Sequence, residues 1–279
     1  MHPEQQLSIA RNSEGATSMA VISQQGAALN QLVLKGVSVI DSSKLASPID
    51  IKFGSLLAPW PNRIAEGKYQ FKGEQYESEK LDRLGNAIHG LLFDRLVEVA
   101  NHSENKITFR HSFGEDDFYP FSIDLTVTYE LTEDELLVTS IAKNHGDTAP
   151  FGIGFHPYFL AGENFTVTAP FTHKILANEK MIPTSTVEID RFEYSGGQLD
   201  GCFLGAEEVQ LSTEHFSLEV KLLEGYTHTM LYRPPIELGE SLIAIEPMSC
   251  AANAFNSDIE STLLESGETK RFVFSIRMS

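Results

Sequence analysis

Apolar residues recur at every second position in short runs along this chain, and Gly, Asn, Asp and Pro close each run within a few residues. That period matches a half-buried strand and not a helix. Candidate strands fall at 20–23, 29–34, 37–40, 107–110, 121–129, 136–141, 163–170, 186–192, 207–212, 215–223 and 271–276, and β-branched and aromatic residues populate them. Long amphipathic helices are scarce, with room for a short one near 250–262. The spacing leaves little place for the crossover helices that parallel strands need. The predicted fold class is therefore all-β, a large antiparallel β-sandwich. No linker, repeat or low-complexity tract divides the chain, and the turn-rich stretch 42–48 is too short to force a boundary. Residues 1–279 are read as a single domain.

Charge narrows the partners. Asp and Glu number 39 against 21 Lys and Arg, a formal charge of −18. Phosphate backbones need clustered positive charge, and no basic stripe is present, so nucleic acid is excluded as the main partner. Anionic membrane surfaces are disfavoured for the same reason. No apolar run approaches the length of a spanning helix, and the N-terminal Met1-His2-Pro3-Glu4 lacks the basic and apolar segments of a secretory signal. The two cysteines, Cys202 and Cys250, are read as free thiols in a reducing compartment. A soluble cytoplasmic protein is expected.

Five segments concentrate chemistry-bearing residues. Phe151-Gly-Ile-Gly-Phe-His-Pro-Tyr-Phe159 places His156 among apolar residues with a proline fixing the backbone behind it. Such an imidazole suits a positioned acid, base or ligand, or a structural histidine bonded to a backbone carbonyl. In Pro59-Trp-Pro-Asn-Arg-Ile64 an irregular turn presents Trp60 as a flat wall and Arg63 as a directed donor, or merely packs as a turn. His89 precedes Gly90, which permits a close backbone approach; it can orient a substrate oxygen or satisfy a buried carbonyl. Asp200 sits among Gly196, Gly197 and Gly201, where its carboxylate can accept sugar hydroxyls or close an Asx-turn. Leu242-Ile-Ala-Ile245 reads as a core strand with Glu246 at its end, cut off by Pro247. A carboxylate so placed is a candidate base or half of a structural ion pair.

Taken together, Asn62-Arg63-Ile64, Ile88-His89-Gly90, Phe155-His156-Pro157-Tyr158-Phe159, Asp200-Gly-Cys-Phe203 and Ile245-Glu246-Pro247-Met248 resemble, in order and chemistry, the motifs of the aldose 1-epimerase (galactose mutarotase) family, in particular its shorter bacterial branch. The resemblance runs from about residue 19 to the terminal strand. It implies a galactose mutarotase-like sandwich that interconverts the α and β anomers of a free aldohexose such as galactose or glucose. It implies Glu246 as base, His156 as acid, and Arg63, His89 and Asp200 as substrate-positioning residues beside Trp60. The implied partner is a small-molecule monosaccharide, with monomer and homodimer both open. Neither an organic cofactor nor a metal is expected, since proton transfer suffices and no phosphate loop or compact metal-ligand spacing is present. Pro157, Gly201-Cys202 and Pro247 depart from the galactose-directed pattern, which leaves room for a modified hexose. A non-catalytic sugar-binding module and a glycoside hydrolase using Asp200 and Glu246 are the alternatives.

Overall fold

The computed structural model describes residues 5–13, 15–43, 45, 47–235 and 241–279. Residues 1–4, and Lys44 and Ala46 of the expected loop 42–48, lie outside these.

The alternating runs become strands, extended by a few residues. Ile123–Leu131 and Glu135–Asn144 alternate buried and half-exposed side chains almost without interruption. With Thr269–Met278, Ser217–Glu224, Glu208–Thr213 and Phe165–Ala169 they form the middle of a nine-stranded antiparallel sheet, whose edges are Glu98–His102 and Phe192–Tyr194. A second, eight-stranded sheet runs Pro183–Glu188, His173–Ala177, Leu199–Leu204, His228–Arg233, Leu242–Met248, Gly154–Phe155 and Leu56–Leu57, with Tyr158–Leu160 pairing beside Leu242–Met248. Aromatic side chains bridge the two sheets. Phe155 lies 4.9 Å from Phe274 and 6.2 Å from Tyr129, ring centre to ring centre. A four-stranded N-terminal meander, from Gln6–Ser13 to Val37–Asp41, covers a flank, and the Tyr129 hydroxyl donates to the Ala27 carbonyl at 2.6 Å.

Three local expectations need correction. The run 186–192 is not one strand: Pro183–Glu188 and Phe192–Tyr194 belong to different sheets, with Asp190 at the bend between them. Asp200 does not sit in a turn; Leu199–Leu204 is a strand and Asp200 pairs with Tyr232. Glu246 does not end its strand, since Leu242–Met248 continues through Pro247 and is buried at every position. The short helix allowed for near 250–262 is one α-turn, Ala254–Ser257, followed by the 3-10 turn Ile259–Thr262. No helix among the described residues is long and apolar enough to cross a membrane. Cys202 and Cys250 are both free thiols.

Candidate active site

The centre of the site is a gap in the eight-stranded sheet. Gly154 pairs with Met248 and Tyr158 pairs with Ala244, and in that one register His156 falls opposite Glu246. Between these two pairings the ladder thins. The Ser249 amide donates to the Ile153 carbonyl, and in this register Pro247 faces Phe155 and Pro157 faces Ile245. Each of these two pairs can make only one of its two ladder bonds, because proline has no N–H to give. His156 turns its own amide the other way, to the Ser55 carbonyl at 3.0 Å, while its carbonyl accepts from the Gly54 amide at 2.9 Å. The strand that carries His156 is thus anchored on one side and loosened on the other. Side chains in such a non-exchanged antiparallel pair are held close. His156 Nε2 lies 3.4 Å from Glu246 Oε1, with the two side chains only 6% and 2% exposed. Tyr158 stacks on the imidazole at 4.7 Å and 19°, which fixes the ring plane.

Two loops close over this pair. Arg63 and Ile64 form a short ladder with Ile88 and Ala87, and the His89 amide donates to the Asn62 carbonyl at 2.8 Å. Asn62 and His89 both adopt positive φ, at 53° and 63°. Gly90 follows at 73°, and a Cβ there would stand 2.1 Å from the Ala58 carbonyl oxygen. Only glycine allows the two loops to approach so closely. The His89 ring meets His156 edge-on at 5.2 Å.

Arg63 is held by a residue that the sequence reading missed. Its Nε donates to Asp82 Oδ2 at 2.9 Å, and both side chains are largely buried. The other Asp82 oxygen accepts from the Leu84 and Asn86 amides at 2.8 and 2.9 Å. Burial raises the Asp82 carboxyl, but the Asn86 amide, the Arg63 guanidinium and the Leu84 amide together outweigh it and leave its pKa below the ordinary value. Arg63 Nη1 also contacts Asn62 Oδ1 at 3.3 Å. The guanidinium is thereby aimed rather than free.

The six residues singled out from sequence border one pocket of about 500 Å³: Trp60, Arg63, His89, His156, Asp200 and Glu246. That is the size of a small-ligand site. Tyr232 and Asp82 border it too. Trp60 is less a flat wall than a packed support. It is 3% exposed, and its ring meets Phe118 edge-on at 5.1 Å. Asp200 is open to the groove and makes no side-chain hydrogen bond among the described residues, so an Asx-turn is not its role. Trp60 Nε1, His89 Nδ1 and Glu246 Oε2 are buried with no hydrogen-bond partner. Unpaired buried polar atoms are costly, and those that face a pocket are bonding capacity held for a ligand.

The electrostatics of the pair follow from burial. Burial raises the Glu246 carboxyl well above its ordinary value, and Asp200 raises it further while Arg63 opposes. Burial lowers His156 to about 3, with Lys52 adding to the effect. His89 is pushed well below its ordinary value by burial first, then by His156, Arg63 and Lys52. The cleft walls desolvate Asp200 enough to raise it, against Arg63 and Arg83. Burial thus favours the neutral forms of all three, a protonated Glu246 carboxyl beside neutral His156 and His89 imidazoles.

Several other polar and ionisable groups lie outside the pocket. Asp116 of the acidic segment 115–117 accepts from Arg95 at 2.7 Å and from the Phe118 amide at 3.0 Å, a structural knot rather than a cation site. No group of three or more His, Cys, Asp or Glu among the described residues is placed to hold a metal. His228 bonds Thr227 Oγ1 at 2.8 Å, and Tyr226 is buried against Phe272 and Phe274.

Known proteins resemble this chain along nearly its whole length. A model of the aldose 1-epimerase family matches residues 10–277. The uncharacterized protein YihR of Escherichia coli (strain K12) is 30% identical over 294 residues, covering 98% of this chain and 92% of that protein. Galactose mutarotase of Rattus norvegicus is 28% identical over 181 residues, 61% of this chain and 51% of the rat protein. The solved structure of the GalM/aldose epimerase homologue from C. elegans superimposes with a TM-score of 0.83 across 99% of both chains at 17% identity. That likeness shows the large, mostly antiparallel all-β architecture expected from the strand pattern.

Proposed function

The chain belongs to the aldose 1-epimerase family, and from that premise we propose that it interconverts the α and β anomers of a free, neutral aldohexose, with galactose and glucose the first candidates. The observation that carries the proposal is the 3.4 Å approach of His156 Nε2 to Glu246 Oε1 on the wall of a sugar-sized pocket. Anomer exchange removes a proton from the C1 hydroxyl and delivers one to the ring oxygen. Both oxygens are bonded to the same carbon, so an acid and a base that serve them must themselves be neighbours.

A pair that shares one proton meets the remaining demand. Glu246 first passes its proton across the 3.4 Å contact to His156; the carboxylate then takes the proton of the C1 hydroxyl as His156 gives the transferred proton to the ring oxygen. The C1–O5 bond breaks and leaves an aldehyde and a C5 hydroxyl. Rotation about C1–C2 turns the other carbonyl face toward O5. In closure His156 takes the C5 hydroxyl proton and Glu246 returns one to the carbonyl oxygen, and once His156 passes its proton back to Glu246 the pair ends as it began. Arg63 and Asp200 supply a donor and an acceptor for ring hydroxyls, and the unpartnered Nδ1 of His89 supplies another contact. Membership of the shorter bacterial branch rests on His156-Pro157-Tyr158-Phe159 and Glu246-Pro247-Met248.

The deciding experiment dissolves pure α-glucose and pure α-galactose and follows optical rotation and anomeric NMR exchange. Acceleration proportional to protein concentration supports the proposal. Binding without acceleration points to a sugar-binding module, and release of sugar from glycosides points to a hydrolase.

A further inference from the structure

A second cavity of about 360 Å³ opens beside the sugar pocket and shares Asn62, Arg63, Asp200 and Met230 with it. We propose that this annex receives a hydrocarbon group, alkyl or acyl, carried on a hydroxyl of the sugar other than the one on C1. This deepens the epimerase reading above and rests on it.

The annex has the wrong walls for a second sugar ring and the right ones for a hydrocarbon. Leu176, Met181, Pro183, Met248 and Ala252 line it, and no aromatic ring does. Sugar rings are held by aromatic faces and arrays of polar partners, whereas methionine and aliphatic side chains adapt to apolar groups of irregular shape. The polar groups that remain are committed or neutral. Lys174 Nζ lies 5.8 Å over the Phe203 ring. Burial raises the Cys202 thiol, so it stays protonated.

The outer wall is built rather than incidental. It is the hairpin of His173–Ala177 and Pro183–Glu188. The Asn178 side-chain oxygen accepts from the Lys180 and Ile182 amides at 2.9 and 3.1 Å and locks the connecting turn. That turn holds Met181 at φ 61°, a left-handed conformation that a side chain of its size rarely adopts. Leu176 stands 39% exposed on the same hairpin. A rigid hairpin that presents leucine and methionine next to a sugar site gains by covering them with apolar ligand surface.

Chemistry limits where the group can sit. A substituent on O1 or O5 would block ring opening, so the hydroxyls at C2, C3, C4 and C6 remain. The test compares glucose and galactose with their 2-, 3-, 4- and 6-O-butyl ethers, which resist hydrolysis and migration. Exchange NMR gives KM, and titration calorimetry gives Kd. Each buried methylene strengthens binding about fourfold, so at least one ether binds roughly tenfold or more tighter than its parent hexose. Leu176→Ser and Ala177→Phe, at positions outside the sugar pocket, abolish that advantage and leave the parent KM unchanged. Parent hexoses turned over with every ether bound equally or more weakly would overturn the annex and spare the epimerase reading. An ether preferred in calorimetry by a protein that accelerates no anomerisation would overturn the epimerase reading instead.

Discussion

His156 and Glu246, ninety positions apart in sequence, face one another where an antiparallel ladder thins, at an Nε2–Oε1 distance of 3.4 Å. In the proposed mechanism each supplies half of a one-proton relay. Glu246→Gln and His156→Asn should each lower kcat roughly 100-fold or more, in the range of acid–base groups. Binding should fall less, because Arg63, His89 and Asp200 remain. Anomer exchange on variants with unchanged circular dichroism, corrected for the spontaneous rate, measures this. Near-normal kcat in both would remove the pair from the mechanism.

The same pair sets a pH profile. His156 is lowered to about 3, so its imidazole is already neutral where an ordinary histidine titrates. kcat/KM should show no histidine inflection near pH 6.5. An inflection there that disappears in His156→Asn would show that the imidazole is not held neutral.

Stability should carry the mark of the buried acid. The folded pKa of Glu246 lies above its unfolded value, so the folded state keeps a proton that the unfolded state releases. Wild-type protein therefore loses stability as pH rises from about 4.5 toward the folded pKa, and Glu246→Gln does not. Between pH 5 and pH 8 the stability of the Gln variant relative to wild type should therefore rise. Urea unfolding at the two pH values reads the difference, and a constant offset would contradict a raised carboxyl.

Asp82 should behave as a residue that acts through Arg63. Asp82→Asn keeps an oxygen for the Leu84 and Asn86 amides and gives up the charge paired with Arg63 Nε. KM should rise several-fold to tenfold, since a charged hydrogen bond contributes about 1.5–3 kcal/mol and part of it survives. kcat should change less. An unchanged KM would mean that Arg63 needs no such support.

Gly90 is a test of how the loops are assembled. A Cβ at φ 73° and 2.1 Å from the Ala58 oxygen requires either loop to shift. Gly90→Ala should cost about 2 kcal/mol or more and, by displacing His89, also raise KM. Thermal unfolding at wild-type Tm would show that the loops separate freely.

Much of this was legible from residue order, and the failures have physical causes. Ile123–Leu131 alternates so strictly that only a one-sided strand fits it. The motif residues Arg63, His89, His156, Asp200 and Glu246 stood out because each breaks the local pattern, a charge or imidazole beside glycine, proline or an apolar run. Their meeting in one pocket could not be read, because register between distant strands is a tertiary property. The surroundings of Asp200 read as turn-rich because three nearby glycines resemble turn chemistry, yet Gly201 lies within a strand. Pro247 reads as a terminator, but it faces Phe155 and costs the ladder only one bond, so the strand runs on. Asp82 hid in a charged stretch, Lys80 to Arg83, that reads as a solvated surface. Tyr158 stands in the His156 motif, but its stacking on the imidazole leaves no trace in spacing.

The two prolines also bear on what the pocket can admit. Backbone donors left free inside a sheet invite an intruding peptide strand. Here Pro157 and Pro247 have no amide to offer, and the register spends the Phe155 and Ile245 amides on the facing strand. The floor beneath His156 and Glu246 is thereby left without a free backbone donor, and any hydrogen bonding to what enters the pocket falls to its side chains.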